Sequence, residues 1–300
     1  MLSVENATAS AFPVACCGVS ERTTIKWINS LHFEDSLKLA AGSFNGPVSM
    51  KLRRFFVEDE VLGPGERLVT GKRARHLTRV LRLGVGEAVV LFDGSGTEYP
   101  AEILEVGRQL VRFKVAAGRR IDRESSLDLL LALGLSRPRI MDLIIQKVTE
   151  LGVKAIVPVK TERAQRWSAG ERGASRLKRW ERIAQEAARQ SGRNLVPRIS
   201  PPADFSRLLA RQKETGLKFI CWEEEESGSL RTALAEQAGS RQACVLIGPE
   251  GGFSANEVER ATAAGFQSVS LGQRVLRTET AAIAVISLLQ YELGDLGLLP

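Results

Sequence analysis

Four cysteines and two histidines are all that this chain of 300 residues holds of the side chains best suited to transition metals. Cys16, Cys17, Cys221 and Cys244 form no C-x-x-C pair, and neither His32 nor His76 stands near a cysteine. Zinc sites need such residues clustered at short spacing, so no metal is expected. A disulfide framework is excluded for so long a chain, and sparse cysteine fits reduced thiols in a cytoplasmic protein. No apolar run approaches the roughly 18–20 residues of a bilayer span, so no membrane partner is expected. A Walker A sequence is missing. Gly84-x-Gly86 lacks a third glycine and leads into a strand-like run, so it is no dinucleotide fingerprint. No Gly-x-Ser-x-Gly elbow occurs, and neither histidine has the context of a catalytic triad.

What is present is positive charge. The formal net charge is +7, with 42 Lys and Arg against 35 Asp and Glu. Totals matter less than clustering when a polyanion is the suspected partner. Between Lys51 and Arg82 stand nine basic residues and four acidic ones. A helix is expected over 72–83, and there His76, Arg79 and Arg82 are three residues apart and share a face, with Arg75 beside them. Arg53 and Arg54 lie just upstream. Lys and Arg in such density serve to neutralise phosphates, which makes this segment the expected nucleic-acid contact.

Residues 1–49 read differently. They mix Ser, Ala, Thr and Asn with scattered apolar residues, and no period persists. They lack the basic start and apolar core of a signal peptide, and Glu5, Glu21, Glu34 and Asp35 are too acidic for a transit peptide. We expect a dispensable extension, upstream sequence read through from a misassigned start, with the folded chain beginning at Met50.

From 50 to 118 the text is strand-rich. Short β-like runs at 54–57, 67–69, 86–92, 97–104 and 110–115 are punctuated by Asp93-Gly94-Ser95-Gly96 and Gly107. Several short strands with glycine-rich turns predict a compact barrel. Residues 119–126 are polar, carry both charge signs and read as a linker. From 127 to 300 strands alternate with helices: strands at 127–133, 155–159, 217–221, 243–247 and 266–271, and helices at 138–151, 175–190, 254–264 and 278–291. Such alternation predicts an α/β domain with a mostly parallel sheet.

Ligands of open parallel sheets bind at the carboxyl ends of strands. One such end reads Ile247-Gly248-Pro249-Glu250-Gly251-Gly252-Phe253, where glycines let backbone N–H groups approach a ligand. Ser254-x-x-Glu257 then makes a capping box for the next helix. A second end, Leu271-Gly272-Gln273-Arg274-Val275-Leu276-Arg277-Thr278-Glu279-Thr280-Ala281, puts two arginines and a Thr-rich helix start before an apolar helix. Packing alone would not call for that succession of polar residues.

These two segments together resemble the α/β-knot (SPOUT) methyltransferases, and more narrowly the enzymes that make 3-methyluridine in the decoding region of 16S ribosomal RNA. Arg53-Arg54-Phe55-Phe56 and His76-Leu77-x-Arg79-Val80-Leu81-Arg82 are similar to that family's amino-terminal domain. Gln146-Lys147-x-x-Glu150-Leu151-Gly152-Val153, Thr161-Glu162-Arg163 and Glu186-x-x-x-Gln190-Ser191-Gly192-Arg193-x-x-x-Pro197 also match its motifs, in its order. The extension before Met50 is foreign to the pattern, and Ser136-Arg137-Pro138-Arg139 stands where the family more often has a lysine-containing version.

The resemblance implies a PUA-like barrel followed by a trefoil-knotted domain, a homodimer, and S-adenosylmethionine as cofactor. It places the cofactor against Leu246, Ile247, Gly248, Glu250, Gly251, Gly252, Leu271, Gly272, Leu276, Arg277, Thr278, Thr280 and Ala281. The implied reaction moves a methyl group to N-3 of a uracil in 16S RNA, with the assembled 30S subunit as the expected substrate. Loss of the N-3 proton leaves negative charge on the base, and Arg277 is the expected stabiliser, ahead of Arg193 or Arg163. Glu279 would orient Arg277 or accept the proton. RNA would be held by Arg53, Arg54, Arg75, His76, Arg79, Arg82, Arg137, Arg163 and Arg193. Two rivals remain: a non-catalytic, RNA-binding ribosome assembly factor, and a knot methyltransferase acting on transfer RNA.

Overall fold

The run Asp128–Gly134 is apolar at nearly every position, the pattern of a strand covered on both faces. A computed structural model describes residues 52–57, 62–71, 74, 84–212, 216–235 and 240–298. In it this strand, β7, is central to a seven-stranded parallel sheet. The order is β10 (Ala203–Asp204), β8 (Ala155–Lys160), β7, β12 (Gln242–Ile247), β11 (Leu217–Cys221) and β13 (Gln267–Val269), with β9 (Arg198–Ile199) also on β8. Alternation along β7 sends Leu129, Leu131 and Leu133 to one face and Leu130 and Ala132 to the other.

Each face has its own helices. On the first, α1 (Pro138–Glu150) buries Met141, Ile144, Ile145 and Val148, the spacing of one helical stripe. Beside it lie α2 (Glu171–Ser191) with Trp180 and Ala184, and α6 (Thr278–Leu293) with Ala282, Val285, Ile286 and Leu289. The short α4 (Leu230–Ala235) completes this layer. On the second face, α3 (Phe205–Arg211) and α5 (Ala255–Ala263) cover Ala132, Ile220, Cys244 and Leu246. The result is three layers, helix, sheet, helix, as the alternating pattern predicts.

The preceding segment forms a six-stranded mixed sheet. Its order is β1 (Arg53–Phe56), β3 (Ala88–Phe92), β4 (Thr97–Val106), β5 (Leu110–Val115) and β2 (Gly65–Thr70), with β6 (Arg119–Arg120) on β4. One pair, β1 with β3, is parallel and the other pairs are antiparallel. Of the helix expected over 72–83 only Ala74 is among the described residues, and Arg75, His76, Arg79 and Arg82 lie outside them. So do residues 1–49.

The segment 119–126, read from sequence as a linker, is bonded to the rest of the chain at several points. Arg119–Arg120 pair with Thr97 and Glu98 as β6. Glu124 is buried on Arg193, and the Ser125 hydroxyl donates to Gln290 at 2.6 Å. Arg119, Arg120, Asp122 and Ser126 stay exposed, as polarity suggests, while Arg123, Glu124 and Ser125 have partners far along the chain. Among the described residues, no helix is long and apolar enough to cross a membrane.

Candidate active site

Four neighbouring strands of the parallel sheet end level. Leu133 pairs with Ile247, Ile247 with Cys221, and Cys221 with Val269. The loops that leave these ends therefore meet in one place, at the carboxyl edge where open α/β sheets bind ligands. They enclose a cavity of about 440 Å³. Its walls are Arg137 and Ile140 at the start of α1, Cys221–Glu223, the glycine loop at 247–250 and Gly252, and 270–279 with Ala281 leading into α6.

The glycine loop is held from three sides. The Glu250 carboxylate accepts from the Arg137 backbone N–H at 2.9 Å, at the N-cap of α1. A carboxylate there also satisfies the positive end of the helix, worth about 0.3–1 kcal/mol. Arg163 donates to the carbonyl oxygen of Gly251 at 2.9 Å and more weakly to that of Phe253. Ser254 and Glu257 form the expected capping box at the start of α5, and Glu257 also accepts from the Glu162 N–H at 2.9 Å. Two glycines permit the loop's path. A Cβ on Gly134 would stand 2.5 Å from Pro249, and Gly252 adopts φ +68° with the Glu223 carboxylate where its Cβ would be.

The loop after β11 has its own anchor. Glu225 accepts from the N–H and hydroxyl of Ser227 at 2.9 and 2.7 Å, and from Gly228 N–H at 2.9 Å. The Ser268 hydroxyl, then that of Ser227 and the backbone N–H groups hold its carboxyl down at about 2. This loop carries Trp222, whose Nε1 is buried and has no partner. Burial pushes the Cys221 thiol up to about 12, so at neutral pH it is protonated and not a nucleophile.

Ten of the residues expected at the cofactor border this cavity: Ile247, Gly248, Glu250, Gly252, Leu271, Gly272, Leu276, Arg277, Thr278 and Ala281. Three do not. Leu246 is turned by strand alternation to the opposite face, against α5. Gly251 directs its carbonyl away, to Arg163. Thr280 is exposed on α6, off the face where Thr278 and Ala281 meet the cavity three residues apart. Arg277, the N-cap of α6, and Glu279 both border the cavity, with no hydrogen bond between them. The sequence reading missed Trp222 and Glu223. Their position just after β11 was the available signal, since β11 ends level with β12.

The RNA-contact residues divide. Arg53 and Arg137 are exposed, and Arg137 borders the cavity. Arg163 is exposed, but its guanidinium is engaged in bracing the glycine loop. Arg54 and Arg193 are engaged by partners within the chain. Arg193 is buried, donating to Glu124, to Thr149 O at 2.7 Å and to Val153 O at 3.0 Å. Arg54 meets Glu98, the Arg193 carbonyl and Asn194 Oδ1. Both guanidiniums direct most of their donors to acceptors within the chain, which leaves few for a phosphate.

Comparison with known proteins agrees with this geometry. The family model of the RNA methyltransferase domain matches residues 123–290, and that of the RNA methyltransferase PUA domain matches 69–116. The ribosomal RNA small subunit methyltransferase E of Synechocystis is 32% identical over 237 residues, covering 78% of this chain and 76% of that protein. The protein of the same name from Bacillus subtilis is 29% identical over 248 residues, covering 80% and 97%. A putative methyltransferase from Legionella pneumophila, solved with bound SAM, superposes with a TM-score of 0.76 at 34% identity, covering 82% of this chain and all of that one. Ribosomal RNA small subunit methyltransferase E from Neisseria gonorrhoeae, bound to S-adenosyl methionine, gives 0.74 at 33% identity, covering 82% and 99%. The four level strand ends, the glycine loop and these likenesses over most of the chain place the protein in the ribosomal RNA small subunit methyltransferase E family of RNA methyltransferases.

Proposed function

We propose that this protein methylates N-3 of a uridine in small-subunit (16S) ribosomal RNA, with S-adenosylmethionine as donor and the assembled 30S subunit as substrate. The observation that carries the reading is the cavity at the level ends of β7, β12, β11 and β13, bordered by ten of the expected cofactor residues. The residues present suit that cofactor. A buried, unpartnered Trp222 Nε1 offers a donor at the wall, and the volume is within the range of small-molecule sites. The walls around Ile247, Leu271 and Leu276 are apolar, and Gly248 and Gly252 keep backbone accessible. When bound, the cofactor supplies an electrophilic methyl group on a sulfonium.

The chain's own work is to position and to stabilise charge. Removing the N-3 proton leaves the uracil negative. Arg277, exposed at the rim, and the amino-terminal end of α6 put positive charge at the cavity, where it would stabilise that negative charge. Of the carboxylates in the cavity wall, Glu279, half-buried beside Arg277, is the one that would take the proton or orient Arg277. Alignment of base and donor can supply about 7–11 kcal/mol of the acceleration.

The same reading includes a trefoil knot, a barrel and a dimer. In support of the knot, the loops after β12 and β13 share one cavity although β11 lies between those strands. In support of the barrel, residues of β1, β3, β4 and β5 form one apolar cluster, against which Val69 of β2 packs. In support of the homodimer, Leu143 on α1 and Leu288 and Tyr291 on α6, two packed helices, are apolar and exposed.

The test uses labelled S-adenosylmethionine and small subunits from cells lacking the activity, followed by mass spectrometry of the nucleosides. A single 3-methyluridine is expected. Label in transfer RNA alone would favour the transfer-RNA enzyme. RNA binding without transfer to any RNA would make the protein an assembly factor.

A further inference from the structure

Positive charge gathers along α2 and the loop before it, residues 161–170, which is tied to the cavity's glycine loop through Arg163. We propose that this face is a docking surface for the sugar–phosphate backbone of the RNA whose base enters the cavity. The proposal rests on the RNA methyltransferase reading above, and adds a second site of RNA contact, on the catalytic layer itself. Between residues 163 and 182 stand seven basic side chains against two acidic ones, and six of the seven are arginine. Arginine presents a planar fork of donors suited to phosphate oxygens.

The cations on this face have two distinct uses. Arg172, Lys178 and Arg182 are exposed on α2 and have no carboxylate partner among the described residues. Arg179 lies between them but is committed: it grips Asp142 of α1 through Nε and Nη2, at 3.0 and 2.7 Å. That pair fixes α2 against α1. Asp142 is five residues beyond Arg137 at the cavity rim, about 7 Å along the helix at 1.5 Å per residue. The exposed cations thus flank a residue that is tied to the helix beginning at the cavity rim.

The loop joins this face to the cofactor side. At its far end the Arg176 guanidinium lies 5.1 Å from the Trp167 ring centre and 5.4 Å from that of Trp180. The two rings are themselves 5.5 Å apart, so Trp167 is clamped onto α2. At its near end Arg163 holds the glycine loop through Gly251 O. A strand of RNA laid on α2 is therefore carried by the same framework that shapes the cavity. The tie to the cavity's glycine loop and the predominance of arginine point to nucleic acid over an acidic protein.

The experiment reverses three charges in the full chain, Arg172→Glu, Lys178→Glu and Arg182→Glu, none of which borders the cavity. Binding of 16S RNA transcript is followed across salt concentrations, and S-adenosylmethionine binding by calorimetry. RNA affinity is expected to fall at least about tenfold near 100 mM salt, and the slope of log affinity on log salt to become shallower by about 2, from three lost phosphate contacts. Cofactor affinity should not move, which also certifies the fold. The milder Arg172→Gln with Arg182→Gln should shift both RNA quantities in the same direction by a smaller amount, should the triple variant not fold. RNA affinity and slope equal to the unaltered chain's would overturn the docking surface and leave the face to a protein partner. Methyl transfer by the unaltered chain in that case keeps the enzymatic reading standing. Failure of the unaltered chain to methylate any RNA removes both.

Discussion

Gly252 shows how narrowly single residues decide this site. Its φ of +68° is disfavoured for any residue with a Cβ, and the Glu223 carboxylate occupies the place where that atom would go. Gly252→Ala therefore combines backbone strain of about 1–2 kcal/mol with a displaced loop. Since about 1.4 kcal/mol is a factor of ten in affinity, the Kd for S-adenosylmethionine is expected to rise tenfold or more by calorimetry. An unchanged Kd would mean that the loop does not shape the cofactor site. Glycine here was legible from sequence, because three glycines around a proline have few other uses. Glu223, the partner that makes glycine necessary, was marked in the sequence only by its place just after a strand, which in the fold ends level with β12.

At the scale of elements, long patterns were readable and short ones were not. The stripes of α1 and α6 and the apolar run of β7 place those elements nearly to the residue. The two-residue strands β6, β9 and β10 and the short helices α3 and α4 escaped, because they span too little chain for a period to show. The turn after β11 is a further case of local chemistry visible only in the structure. Its Glu225 is held near 2 from an ordinary 4.5, with the Ser268 hydroxyl the largest cause. A carboxylate lowered in the fold stabilises it fully above about pH 4.5, and that contribution disappears as the pH falls towards 2. Thermal unfolding midpoints across this window should fall more steeply for the unaltered chain than for Glu225→Gln. The variant should also bind S-adenosylmethionine more weakly at pH 7, because Trp222 and Glu223 ride on the same turn. Parallel pH profiles for the two proteins would show that the turn is not held by this charge.

At the scale of the whole molecule, the mixed sheet and the parallel sheet are joined through buried charge. Arg54 and Arg123 both meet Glu98 on β4, while Arg54 also reaches Asn194, whose own amide donates to Ile121 O at 3.1 Å. Next to it Arg193 and Glu124 pair at 2.6 Å with side chains only 6% and 9% exposed. The motif Gln190-Ser191-Gly192-Arg193 looks like RNA-binding chemistry when only charge is read, and burial is what the sequence does not display. A buried ion pair is a weak net stabiliser, yet stripping one partner leaves the other charge desolvated, at about 3–5 kcal/mol. Arg193→Ala should therefore destabilise the chain by that amount in urea unfolding, with Thr149 O and Val153 O losing their donors as well. Replacing both partners by apolar residues, Arg193→Met with Glu124→Leu, should cost less than the sum of the two single changes, because no lone charge remains. If the pair instead held RNA, Arg193→Ala would weaken RNA binding and leave the unfolding midpoint in place.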